Sequence, residues 1–308
     1  MIKRTLYFGN PAYLSLSNRQ LAIRKPDDGD LPDDEDLLHP VKTVPIEDIG
    51  VVVLDHRQIT ITSCLMATLL DNNVALITCD DHSMPSGLML PLESHTVQQE
   101  RFRCQLDSSL PLRKQLWQQT VQAKIRNQAA VLKYVSGSEA RNMLAWAADV
   151  KSGDAGNLEA RAAAFYWKNV FPDIEDFIRE RDGEYPNSLL NYGYAILRAV
   201  IARALVASGL LPTLGIHHHN RYNAYCLADD IMEPYRPYVD RLVVDIVDER
   251  NHPPQLSLDI KAKLLGIPVL DVNIDGHRSP LMVAASTTTA SLYRCFSGQG
   301  RKVLYPEL

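Results

Sequence analysis

The sequence has few cysteines, no glycine-rich nucleotide loop and no long apolar run, and each shortage excludes a class of protein. The five cysteines among 308 residues are scattered without a C-x-x-C pair, which argues against a disulfide framework and a structural zinc site. No G-x-x-x-x-G-K-[ST] loop occurs, so a P-loop nucleotide site is excluded. The apolar runs are too short to span a bilayer, and the first residues do not form an apolar signal region. We therefore expect a cytoplasmic protein that does not bind membranes.

An overall excess of basic residues is also missing, because the formal net charge is −5. The charges are unevenly distributed: residues 1–100 contain 7 basic and 15 acidic side chains, whereas residues 101–141 contain 8 basic and 2 acidic ones. Such a local basic surface can bind phosphates, although a solvated helix face would have the same composition. Its candidates for contact with DNA are Arg101, Arg103, Lys124 and Arg126.

Acidic side chains are concentrated in residues 27–36, where seven of ten residues are acidic. Their mutual repulsion and the shortage of apolar side chains predict a mobile loop that interrupts a hairpin. A phosphate backbone would be repelled by this segment, so we expect it to point away from any DNA duplex.

The pattern of apolar residues changes once along the chain. Short β-branched and aromatic runs predict strands at residues 5–8, 13–16, 21–24, 41–45, 49–54, 58–61 and 74–78, with one helix at 63–70. After residue 91 the spacing predicts helices at 98–105, 112–134, 142–149, 157–169, 187–206, 225–232, 239–247, 256–265 and 279–296. Both β and α elements are therefore expected, in two successive regions.

The strongest local signal is a cluster of histidines and acids within residues 214–237. Three adjacent histidines precede three acids: His217, His218, His219, Asp229, Asp230 and Glu233. On a helix both aspartates share a face with Glu233, and Pro234 then removes a backbone donor. Imidazole nitrogen and carboxylate oxygen together suit a divalent ion such as Mn²⁺ or Mg²⁺. The alternative is that these side chains only hydrogen-bond one another or solvent.

A further acid, isolated in the sequence, lies some sixty residues upstream of the histidines. Glu159 begins a helical run in which four of residues 160–164 are alanine, so another backbone can approach this helix closely. A charged residue is rarely tolerated on a central helix. Glu159 is therefore a further candidate ligand, although an acid in a first helical turn also stabilises the helix dipole.

Three segments together resemble the CRISPR-associated integrase family, the adaptation nuclease of CRISPR-Cas systems. They are GNLEARAAAFYW at residues 156–167, the helical run with its S-G-L-L-P ending at residues 187–212, and the histidine-to-acid segment that continues into DIMEPYRPYVD at residues 230–240. The histidine-rich segment and the chain length are most similar to the type II-like subgroup, in which the effector is a single large RNA-guided nuclease. The match covers nearly the whole chain.

The resemblance implies a metal site and an architecture. Its ligands would be Glu159, His218 and Glu233 around Mg²⁺ or Mn²⁺, because the family's histidine lies fifteen residues before the second glutamate. Asp230 would be a fourth catalytic residue, as a direct ligand, a water-mediated ligand or the carboxylate that orients His218. The implied fold class is α+β, with a small, β-sandwich-like N-terminal domain for dimerisation and partner contact (residues 1–90) and a larger, all-helical catalytic C-terminal domain (residues 91–308).

The family's reaction supplies the expected function. The 3′-hydroxyl of a short captured DNA fragment attacks a phosphodiester at the boundary of the CRISPR repeat, and the metal would activate that hydroxyl. Arg161, Arg221 and Arg236 flank the ligands and could contact phosphates, although pairing with nearby acids is the competing role. The implied partners are double-stranded DNA, as fragment and as repeat array, and a small second adaptation protein. The implied assembly is a homodimer, with two dimers in the integration complex.

Two other functions are compatible with the same residues. A metal-dependent nuclease that acts on branched DNA in repair, without integration, would use the same site. A non-catalytic DNA-binding subunit would instead have acids and histidines that only satisfy one another. An assay of integration into a short repeat array distinguishes the integrase from the repair nuclease. A metal titration distinguishes it from the non-catalytic subunit.

Overall fold

The computed structural model of the protein describes residues 3–25, 42–180, 183–249 and 256–308. The acidic segment 27–36, predicted to be a mobile loop, lies outside these residues. The chain divides into two compact units, Met1–Ser94 and His95–Leu308. The fold is mixed α/β, with strands concentrated in the first unit and helices in the second.

The first unit contains eight strands and one α-helix among its described residues. The strands are β1 (Arg4–Phe8), β2 (Ala12–Ser17), β3 (Gln20–Arg24), β4 (Lys42–Pro45), β5 (Ile49–Leu54), β6 (Ile59–Ile61), β7 (Ala75–Cys79) and β8 (Pro85–Met89), and the helix is α1 (Ser63–Asp71). They form two four-stranded sheets with the orders β1-β5-β7-β8 and β4-β3-β2-β6. The pairs β1–β5, β5–β7 and β2–β6 are parallel, and the other pairs are antiparallel.

One apolar core joins both sheets and α1. Strand β5 (IGVVVL) is buried along most of its length, as a central strand between two parallel neighbours requires. Leu65 and Leu69 of α1 lie one helical turn apart and are fully buried in the same core. Because a helix completes this core, the predicted sandwich of sheets is only part of the arrangement. Strand β8 was not predicted, because Pro85 and Gly87 give it the composition of a turn.

The second unit consists mainly of helices. They are α2 (Gln98–Leu106), α3 (Leu110–Ser136), α4 (Arg141–Asp149), α5 (Leu158–Asn169), α6 (Asn187–Ala207), α7 (Cys226–Met232), α8 (Arg236–Asp248), α9 (Leu258–Leu264) and α10 (Leu281–Phe296). The prediction that this region is all-helical was wrong, because β9 (Asp271–Ile274) and β10 (His277–Pro280) form an antiparallel hairpin. Asp275 and Gly276 at its turn both have positive φ, the conformation that Asp-Gly favours in tight hairpins. That dipeptide was a readable signal in the sequence.

Two long helices position the site. Helix α3 begins where the Ser109 side chain accepts a hydrogen bond from Leu112 N, and it ends at Gly137 in the left-handed conformation. Helix α6 lies so close to α8 that a Cβ added to Gly193 would come within 2.5 Å of Val239 Cγ1.

Contrary to the expectation from the sequence, α6 is long and apolar enough to cross a membrane by length and composition. Most of it is buried inside the protein, as is usual for a core helix.

Candidate metal and active site

Glu159 is held in the first turn of α5 by a residue that the sequence reasoning did not single out. Asp154 accepts hydrogen bonds from the backbone nitrogens of Leu158 at 2.9 Å and Glu159 at 3.0 Å. These are two of the amide groups that a helix N-terminus leaves without partners. Asp154 therefore fixes the backbone from which the Glu159 carboxylate projects. An aspartate just before a helical run was the readable signal.

Glu233 lies at the junction between α7 and α8. It opens a short 3-10 turn, Glu233–Tyr235, after which α8 begins at Arg236. The next residue is Pro234, whose carbonyl accepts a hydrogen bond from Asn127 Nδ2 of α3 at 2.8 Å. The backbone beside Glu233 is thus tied to the central helix of the unit.

The two glutamates meet at one cationic group. Lys124 Nζ of α3 lies 2.7 Å from Glu159 Oε1 and 2.7 Å from Glu233 Oε2. The exposed fractions of the three side chains are 12% for Lys124, 22% for Glu159 and 8% for Glu233. Helices α3 and α5 and the α7–α8 junction therefore bring the two predicted carboxylate ligands together, although they are 74 positions apart in the sequence.

Nearby cations keep Glu233 ionised in spite of its burial. Burial alone would raise the pKa of Glu233, but the charges of Arg236 and Lys124 outweigh it and lower this pKa to about 2. Arg236 Nε lies 2.9 Å from Glu233 Oε1. Lys124 Nζ lies 2.7 Å from the other oxygen, Oε2, so each carboxylate oxygen of Glu233 contacts a cationic side chain.

Asp230 organises the histidine segment. Its carboxylate is fully buried and accepts hydrogen bonds from the backbone nitrogens of Ile216 at 2.7 Å, His217 at 2.9 Å and His218 at 3.3 Å. A short hydrogen bond also joins it to His218 Nδ1. These contacts are the ones expected of a carboxylate that orients the histidine, the third of the roles that the sequence left open.

The close packing of this segment also requires a glycine. A Cβ added to Gly215 would lie 2.4 Å from the His218 carbonyl oxygen and 2.8 Å from Asp230 Oδ2. No side chain fits there without displacement of the segment. Gly215 is a second residue that the sequence reasoning missed.

The three histidines have different surroundings. His217 stacks on the buried ring of Trp117 with centroids 4.1 Å apart, and His218 meets the same ring edge-on at 5.6 Å. The hydrogen bond that His218 Nδ1 donates to Asp230 raises the pKa of His218, and the charges of Glu233 and Glu159 act in the same direction. Burial lowers the pKa of His217. All three histidines are exposed, and His218 is the one whose ring is held by a carboxylate and is influenced by both glutamates.

The donor set fits a divalent metal ion, although the described residues do not form a closed site. No group of three His, Cys, Asp or Glu side chains within the described ranges is placed to hold a metal ion together. Two carboxylates nevertheless converge on one cation, and an oriented imidazole is electrostatically coupled to both. Carboxylate and imidazole ligands suit Mg²⁺ and Mn²⁺.

The arginines predicted to contact DNA fall into two groups. Arg101 and Arg236 are engaged within the protein: Arg101 donates to the Ser208 carbonyl at 2.8 Å and lies over Tyr293, whereas Arg236 contacts Glu233. The others, Arg103, Arg126, Arg161 and Arg221, are exposed. Arg161 lies over the Trp146 ring and Arg221 over the Tyr222 ring. Lys124, also predicted to contact phosphate, is instead placed between the glutamates. DNA binding by the exposed arginines stays a prediction.

Comparison with known proteins gives one consistent relationship. The profile of the family described as "CRISPR associated protein Cas1" matches residues 6–256. A CRISPR-associated endonuclease Cas1 of Neisseria meningitidis serogroup C (strain 8013) is 35% identical over 310 residues, covering 100% of this chain and 97% of that protein. A casposase bound to integration product shares the fold with a TM-score of 0.76 at 21% identity, covering 98% of this chain and 92% of the casposase chain. A chain of a Cas6-RT-Cas1–Cas2 complex gives 0.71 at 20% identity, covering 98% of this chain and 36% of that one. The chain belongs to the Cas1 family of CRISPR-associated proteins.

Proposed function

We propose that this protein is a divalent-metal-dependent DNA strand transferase that inserts captured DNA fragments into a CRISPR array. The observation that carries the proposal is the convergence of Glu159 and Glu233 on one point beside a histidine oriented by Asp230. The names of the relatives, an endonuclease and a casposase bound to integration product, support the reaction class.

The residues have separate tasks in this reaction. Glu159, His218 and Glu233 would hold Mg²⁺ or Mn²⁺, which when bound would lower the pKa of the attacking 3′-hydroxyl and stabilise charge on the phosphoryl group. Asp230 keeps His218 Nδ1 engaged, so that Nε2 is the nitrogen left to bind a ligand. Asp154 fixes the start of α5 and with it the position of Glu159. Exposed arginines would hold the two DNA molecules in line.

The partners are part of the same proposal. Double-stranded DNA is expected as fragment and as target array, which the casposase bound to an integration product supports. A small second adaptation protein is supported by the complex in which a Cas1 chain occurs together with Cas2. Homodimers, with two of them in the integration complex, and a cytoplasmic location complete it.

The central experiment is strand transfer into a supercoiled plasmid that carries a short repeat array, with the small partner protein present. Glu159→Ala, His218→Ala and Glu233→Ala should each abolish transfer in Mg²⁺ or Mn²⁺ while circular dichroism shows an intact fold. His219→Ala is the matched control, because His219 is exposed and adjacent. If His218→Ala still transferred strands and His219→Ala did not, the proposed assignment of the ligand to His218 would be wrong.

The same assay, run in parallel with branched DNA substrates, separates integration from simple cleavage. A repair-type nuclease would cut branched DNA in these conditions without joining the fragment to the array. Joined products that depend on Glu159 and on the repeat sequence would support integration. Cleavage of branched substrates with no joined product, in the presence of the partner, would contradict it.

A second candidate is a non-catalytic DNA-binding subunit, and one observation favours it. Glu159, Glu233, Lys124 and Arg236 neutralise one another in the described structure, as a purely structural cluster would. Isothermal titration with Mn²⁺ tests this candidate. Heat released on binding in the wild type and lost in Glu159→Ala would exclude it, whereas equal absence of binding in both would support it.

A further inference from the structure

Lys124 has surroundings that are unusual for a lysine. Its side chain projects from the middle of α3 and is nearly buried, and its ammonium lies 2.7 Å from an oxygen of each of two glutamates. It donates a hydrogen bond to Glu159 and forms an ion pair with Glu233. Burial alone would lower the pKa of Lys124, but the two carboxylates outweigh it and raise this pKa.

The charges around Lys124 balance in the absence of other ions. Glu159 and Glu233 carry two negative charges, and Lys124 and Arg236 carry two positive ones. A buried carboxylate without a partner is costly, so the pair of glutamates requires a cation between them. A divalent ion added to the balanced cluster would bring two excess positive charges against the Lys124 ammonium.

Of the two cations, Lys124 is the one placed to move. Arg236 sits at the start of α8, next to Glu233 in space, with its guanidinium over the Tyr194 ring at 4.5 Å. Lys124 reaches the cluster through a flexible four-carbon chain whose contacts with Glu159 and Glu233 are through the terminal nitrogen. Rotation about its side-chain bonds would free both carboxylates without moving a helix.

We propose that the Lys124 ammonium is an internal counter-ion that holds Glu159 and Glu233 together in the metal-free protein and is displaced when a divalent cation binds. The inference rests on the proposed function for the identity of the ligands. In this arrangement Lys124 keeps the empty site folded and also competes with the metal. It therefore weakens metal affinity while it stabilises the metal-free protein.

The experiment compares Lys124→Met with the wild type by two measurements that do not depend on catalysis. In EDTA the melting temperature of Lys124→Met should fall by on the order of 10 °C, because the buried Glu233 and the half-buried Glu159 lose their shared cation. Calorimetric titration with Mn²⁺ alone should give binding about tenfold tighter or more than in the wild type, because no ammonium has to be displaced. Added Mn²⁺ should restore most of the lost melting temperature.

A matched control lies on the same helix. Lys133 pairs with Glu139 at 3.3 Å on the surface, so Lys133→Met also removes a paired lysine but leaves the cluster unchanged. It should match the wild type in Mn²⁺ affinity and nearly so in melting temperature. Lys124→Gln, which removes the charge but keeps amide donors, provides the affinity measurement if Lys124→Met is too unstable in EDTA.

The outcomes separate this inference from the proposed function. Unchanged or weaker Mn²⁺ binding in both Lys124 variants would overturn the counter-ion role and make Lys124 a permanent part of the site, even if the wild type transfers strands. Absence of Mn²⁺ binding in the wild type and in both variants would overturn the inference and the proposed function together. Tighter binding without any strand transfer by the wild type would keep the inference and contradict the proposed function.

Discussion

Asn127 Nδ2 donates a hydrogen bond of 2.8 Å to the carbonyl oxygen of Pro234, the residue that follows Glu233. The same amide nitrogen donates to the Pro306 carbonyl at 2.9 Å, and Asn127 Oδ1 accepts from Leu308 N at 3.1 Å. Asn127 lies one helical turn after Lys124 on α3. One face of this helix therefore contacts the carboxylate of Glu233 and also fixes the backbone beside it.

Asn127→Leu should destabilise the protein by about 2–4 kcal/mol, because two buried carbonyl groups and one part-buried amide group lose their partner. Urea unfolding followed by circular dichroism measures this change. Strand transfer should fall as well, since the backbone that carries Glu233 is no longer tied to α3. Gln122→Leu on the same helix is the control. Equal stability of the two variants would mean that the amide of Asn127 does not hold this junction.

Much of the fold could be predicted from the sequence, whereas the side-chain contacts within the site could not. Apolar periodicity located the helices of the second unit to within a few residues, but the β9–β10 hairpin was missed. Lys124 was assigned to the basic surface, because a contact between residues 35 positions apart leaves no local pattern. The role of Asp230 also stayed open, because it depends on backbone amides of a non-helical segment. Local spacing predicts which residues face together, and only the tertiary fold decides what they contact.

Gly215→Ala should reduce strand transfer by about a hundredfold with little effect on overall stability. The added methyl group would meet the His218 carbonyl oxygen at 2.4 Å, so the segment that carries His218 has to shift. A shift of about 1 Å in the position of a catalytic group can lower the rate about a hundredfold. Gly300→Ala is the control, because its Cβ would only approach Arg294 Cβ at 3.4 Å.

Measurement of strand transfer and of the melting temperature for both glycine variants checks this prediction. Full activity of Gly215→Ala would show that the histidine segment tolerates a different path. Loss of the fold in Gly215→Ala, detected by circular dichroism, would show instead that the segment is needed for folding as well as for the site.

Asp240 gives a pH dependence of stability that can be isolated by substitution. Burial raises the pKa of Asp240 from 3.8 to about 6, although hydrogen bonds from Tyr194 and Tyr166 act in the opposite direction. Between these two values the folded protein holds a proton that the unfolded chain has released. The contribution of Asp240 to stability is therefore complete below the lower value and is lost as pH rises through about 6.

Asp240→Asn should remove this contribution to the pH profile. The stability of the variant relative to the wild type should rise with pH across the window, by up to roughly 3 kcal/mol. Urea unfolding at several pH values measures the difference. Asp245→Asn on the same helix is the control, because Asp245 accepts its hydrogen bond from Tyr134 at the exposed surface. Parallel pH profiles of the wild type and Asp240→Asn would contradict the prediction.

The exposed arginines of the basic surface should determine how steeply DNA binding depends on salt. Arg103 and Arg126 are exposed, whereas Arg101 is engaged with the Ser208 carbonyl and the Tyr293 ring. Each phosphate that a protein neutralises contributes about 0.9 to the slope of log K against log salt. Replacement of both Arg103 and Arg126 by Gln should therefore lower the slope by about 2, whereas Arg101→Gln should mainly lower stability.

Fluorescence anisotropy with a labelled duplex over a range of NaCl concentrations measures the slopes. An unchanged slope in the double variant would mean that this surface is only solvated, and a reduced slope in Arg101→Gln would mean that Arg101 leaves its internal contacts to bind phosphate.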